Sequence, residues 1–146
     1  MKAKKIYYSV VVGLQSLFIL LLFVNIGYCI ITSDLTMFPT TALYLNFYPF
    51  MNFFKTHNPY DLIVFISLLL LLFAMHFATI CILFKKVKRI YAWVVIVNAY
   101  FYALTMYSDG DLVYVFHGIE FSIYIYSNLA MFLLLLIAAL LKLYRK

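Results

Sequence analysis

The sequence predicts an all-α integral membrane protein: a four-helix transmembrane bundle, N-in and C-in, with an interfacial or re-entrant aromatic segment between helices 1 and 2. Three observations carry this reading. Of the 146 residues, 68% are hydrophobic and only 11% charged, more apolar surface than a soluble domain of this size can bury. The apolar residues form continuous runs at 6–31, 62–84, 90–107 and 112–141, each able to cross a hydrocarbon core of about 30 Å at about 1.5 Å per residue. Barrel strands would instead alternate apolar and polar residues over about ten positions. Finally, short basic groups flank the runs and assign the ends that stay in the cytoplasm.

The central group is Lys85-Lys86-Val87-Lys88-Arg89, between the second and third runs. Such a cluster does not cross a membrane readily, so the middle of the chain reads as a helical hairpin bent on the inside. Lys2, Lys4 and Lys5 at one terminus and Lys142, Arg145 and Lys146 at the other join it there. Ten of the eleven Lys and Arg residues then lie inside, whereas Asp34, Asp61, Asp109, Asp111 and Glu120 all fall outside. The net charge of +6 is thus topological, and no nucleic-acid partner is expected. The expected partners are the lipid bilayer and a membrane protein, peptide or lipid. The expected location is the plasma membrane, multi-pass, of a bacterium.

Taken in order, the basic tip and the run at 6–31 start like a signal peptide, but a mainly apolar run of 26 residues exceeds its usual core of about 7–15. No small-x-small site follows in Gly27-Tyr28-Cys29-Ile30, and a retained span is expected. The connection at 32–59 is unusual for a loop, with one basic residue, Lys55, among many aromatics. Aromatic rings favour the headgroup level, so 40–54 is expected to form a helix in the outer interface or a re-entrant piece on the bundle, interrupted at Pro49. Asn58-Pro59 is a turn into the second span, with Asp61 in its first turn. Ser108-Asp109-Gly110-Asp111 is an outer turn. The last run, at 112–141, is longer than one straight crossing needs and is expected to tilt or to begin above the membrane. The four spans form one domain, 1–146.

The segment Asn46-Phe47-Tyr48-Pro49-Phe50 resembles the Asn-x-x-Pro-Phe segment of VanZ-like membrane proteins over those five residues. It lacks the glycine- and asparagine-rich helix that should follow, so no family is assigned. Cys29 and Cys81 lie near opposite membrane faces, about 25–30 Å apart in depth, too far for a disulfide.

Three constellations are candidate sites. The aromatic outer segment, with Tyr44, Phe47, Tyr48, Phe50, Phe53 and Phe54, is the expected partner-binding surface. Counting rises from the cytoplasmic ends, Gln15, Ser16, His76 and Asn98 share a depth of about 12–15 Å. Polar groups in hydrocarbon seek one another, so His76 and Asn98 are expected within hydrogen-bond or one-water reach. No acid accompanies them in the first three spans, which favours interhelical adhesion over an ion path. His117 and Glu120, at i and i+3, together with Asp111 could supply metal ligands, although solvated acids at helix ends explain them as well. His76 and His117 differ in depth by about 20 Å and cannot share a haem, and no cofactor is expected. No nucleophile elbow, HExxH, CxxC or phosphate loop occurs. The leading expectation is a small non-catalytic accessory or interaction protein. The alternatives are an oligomeric transporter or ion-conducting subunit using the polar layer, and a metal-dependent membrane enzyme with an outer-face site.

Overall fold

A computed structural model of the protein describes residues 2–32, 44–106 and 119–144. All regular structure among them is helical: α1 (Lys2–Thr32), α2 (Tyr44–Thr56), α3 (Pro59–Phe84), a 3-10 turn (Arg89–Tyr91), α4 (Ala92–Met106) and α5 (Ile119–Leu143). Among the described residues, three helices are long and apolar enough to cross a membrane: α1, α3, and α5 over Ile125–Leu143. The helix expected over 90–107 is shorter, because Arg89–Tyr91 is wound as a 3-10 turn and the α-helix starts at Ala92. The last helix is described from Ile119, and the expected start near residue 112 lies outside the described residues.

α1, α3, α4 and α5 pack in a ring in that order, α5 returning to α1, with the broadest contact between α4 and α5. Each presents a narrow buried stripe. On α1 it comprises Tyr8, Val11, Gln15, Ile19, Leu22 and Asn25; on α3 it recurs every seven residues, at Phe65, Leu72 and Thr79. This spacing of three, four and seven is the seam of helices that run nearly side by side. Ala99 on α4 and Ala138 and Ala139 on α5 are fully buried, and such small residues let backbones approach closely.

The burial pattern differs from that of a water-soluble bundle, with amides among the buried side chains and large apolar side chains on the outer surface. Gln15, Asn98 and Asn128 are fully buried. Leu70 and Phe77 on α3 are 66% and 69% exposed. Apolar outer surfaces around buried amides suit a lipid surround, where polar groups must find partners inside.

α2 folds back along α3. Asn58 caps α3, its side-chain oxygen accepting from the Tyr60 N–H at 3.0 Å, and Pro59 takes the first helical position, where a missing N–H costs nothing. His57 closes α2 in the left-handed region (φ 52°) while its N–H donates to the Phe53 carbonyl at 2.7 Å. Phe50 and Phe65, each about seven residues from this turn, meet at 5.0 Å between ring centroids. That symmetry about the turn marks an antiparallel helical hairpin.

Candidate functional site

Two features carry the polar and aromatic groups singled out above, and the first lies where α1, α3 and α4 meet, running from buried Gln15 out to exposed Ser16. His76, on α3, binds α1 through both ring nitrogens, with Nδ1 3.0 Å from Gln15 Oε1 and Nε2 2.9 Å from Ser16 Oγ. The first contact is an Nδ1–H donating to the amide oxygen. Nε2 faces the oxygen of the Ser16 hydroxyl, which is also placed to donate to the Val12 carbonyl at 2.8 Å. Gln15 also lies near the Tyr102 side chain on α4. Gln15 therefore stands between α3 and α4 at the centre of the ring.

Asn98 makes a separate connection. Its Nδ2 donates to Thr79 Oγ1 at 2.8 Å, and the Thr79 hydroxyl donates to the Met75 carbonyl at 2.8 Å. The expected pairing of His76 with Asn98 is not the one formed: His76 turns to α1, and Asn98 takes Thr79. The facing surfaces decide the exchange: His76 is turned to Gln15 and Ser16 on α1, and Thr79, three residues further along α3, is the side chain that meets Asn98 on α4. Sequence reasoning missed Thr79 and Tyr102. Thr79 was overlooked because a helical threonine can satisfy itself on the preceding turn. Tyr102 had a usable signal, since it stands four residues after Asn98 and shares its face.

The second feature is the α2–α3 hairpin. Phe50 is buried on Phe65 and stacks edge-on with Phe54 at 4.9 Å. Phe53 is half-buried, its ring edge-on to Phe54 at 6.0 Å and to His57 at 6.3 Å. Phe50 is thus covered from within the chain, and Phe53 and Phe54 keep part of their surface. Tyr44, Phe47 and Tyr48 belong to α2 by backbone, but their side chains lie outside the described residues. At the turn, Thr56 Oγ1 stands 3.3 Å from Asp61 Oδ2.

Of the metal candidates, His117 and Asp111 lie outside the described residues, as does the side chain of Glu120, whose backbone opens α5. Among the described residues, no three His, Cys, Asp or Glu side chains gather as a metal site would require. Cys81 is a free, half-buried thiol.

No family model matches the chain, and neither a curated protein nor a solved structure matches it.

Proposed function

We propose that this chain is a small, non-catalytic, four-span accessory protein of a plasma membrane, holding a membrane-embedded partner through the outer aromatic hairpin. The observation that carries the proposal is the division of labour within α2. Phe50 docks the helix on Phe65, while Phe53 and Phe54 of the same short helix are only half-buried. A pure anchor needs rings at the right depth in no fixed order, whereas a partner surface depends on a few placed anchors.

In this reading α4 is the fourth span. Its 15 residues with the three of the preceding 3-10 turn reach about 28 Å, close to the thickness of the hydrocarbon core. The basic ends lie inside, by the distribution of Lys and Arg. A second reading, an oligomeric transporter or ion-conducting subunit, draws on the buried polar network. Against it, both ring nitrogens of His76 are engaged by α1, which suits a helix tie better than a group that must release and rebind protons.

The test is to exchange Phe47 with Tyr48, and Asn52 with Phe53, and to measure copurification of the partner from native membranes in mild detergent at equal protein level. Reduced recovery is expected. Unchanged recovery after both exchanges would make the segment an anchor and remove the basis for the proposal.

A further inference from the structure

At the basic end of the ring, opposite the aromatic hairpin, α1, α3 and α5 line a partly open cavity of about 480 Å³. This falls within the span of about 300–1,000 Å³ typical of ligand sites. Lys4, Lys5 and Lys142 supply its charge, and Tyr8, Leu83 and Leu141 its apolar wall. Tyr8 is fixed edge-on to Phe84 at 6.3 Å, which ties α1 to the end of α3. Lys142 forms a buried side of the cavity, 4% exposed, with Nζ donating to the Lys85 carbonyl at 2.8 Å. Lys4 and Lys5 are exposed at the mouth.

Among the described residues, no carboxylate side chain lines this cavity. Asp61 and Glu120 open α3 and α5 at their opposite ends, and Asp34, Asp109 and Asp111 follow the far ends of α1 and α4 in sequence. α1 also begins here, at Lys2, so the positive end of its backbone dipole adds to the lysines.

We propose that this cavity binds one anionic phospholipid of the surrounding bilayer. The phosphate sits among Lys4, Lys5 and Lys142, and the upper part of an acyl chain lies along Leu83, Leu141 and Tyr8. Inorganic phosphate shares the headgroup chemistry but would leave the apolar wall uncovered. A zwitterionic lipid would bring a second cation against three ammonium groups. The site is separate from the aromatic hairpin, so either proposal can fail alone.

The test uses the full-length protein, delipidated in mild detergent and mixed with phosphatidylglycerol or phosphatidylcholine of identical acyl chains. Native mass spectrometry reads the fraction carrying a single lipid. Phosphatidylglycerol should be retained at least about fivefold over phosphatidylcholine, with about fivefold lost per lysine removed. K4Q/K5Q, which alters exposed side chains only, should therefore erase the preference. K86Q/K88Q removes the same charge outside the cavity and should change retention by less than about twofold if the site, rather than the general surface potential, is responsible. Millimolar inorganic phosphate should leave the lipid bound. Equal retention of both lipids, equal losses in the two double variants, or displacement by inorganic phosphate would each overturn the proposal.

Discussion

Replacing His76 with leucine probes how the helices are held together, and the structure sets the size of the effect. The side chain of similar bulk removes two contacts to α1, at 3.0 Å to Gln15 and 2.9 Å to Ser16. Hydrogen bonds between membrane helices average about 0.6 kcal/mol each, so their direct loss is about 1.2 kcal/mol. Gln15 is fully buried, and His76→Leu strands its amide oxygen, adding about 1 kcal/mol or more. The single variant should therefore lose about 2 kcal/mol in reversible unfolding from mixed micelles. The double variant H76L/Q15L has no stranded oxygen, and its loss should fall short of the sum of the single losses by about 1 kcal/mol. Agreement of that sum with the double variant to within about 0.3 kcal/mol, as for independent sites, would refute the network.

Other outcomes follow from individual contacts. Phe50→Ala removes the ring that seats α2 on Phe65; the loss, on the order of 3 kcal/mol for a buried Phe, should free α2 locally and raise cysteine labelling at Thr56. Tyr7→Phe deletes the hydroxyl bond to the Leu134 carbonyl at 2.7 Å and should cost about 1 kcal/mol of stability with partner recovery unchanged. His57→Gly places a residue without Cβ at φ 52° and should stabilise the hairpin by up to about 1 kcal/mol, read by slower backbone hydrogen exchange around Asn58.

The class of the fold was legible in the sequence because membrane helices announce themselves by length and by their flanks. Asn58-Pro59 marks the start of α3 for a local reason, the amide that caps it and a proline where no N–H is needed. The basic cluster likewise marks the break after Phe84. What the sequence hid was rotation about each helix axis. Every helix is apolar on all sides, so the alternation that would distinguish inside from outside in water is absent. Only sparse residues such as Gln15 and Asn98 report the inner face. Depth counting then brought His76 level with Asn98, but His76 is turned to α1 and Asn98 meets Thr79. The lysine cavity was not foreseen either, because a basic flank looks the same whether its side chains spread outward or, like Lys142, fold inward.

The most direct test of the architecture is cysteine accessibility in intact cells, with single cysteines at His57, in the α2–α3 turn, and at Val87, in the basic bend. The account predicts that an impermeant thiol reagent labels position 57 at once and position 87 only after the membrane is permeabilised. Labelling of position 87 from outside would contradict it, placing the basic end on the wrong side of the membrane and the aromatic hairpin beyond the reach of an outer partner.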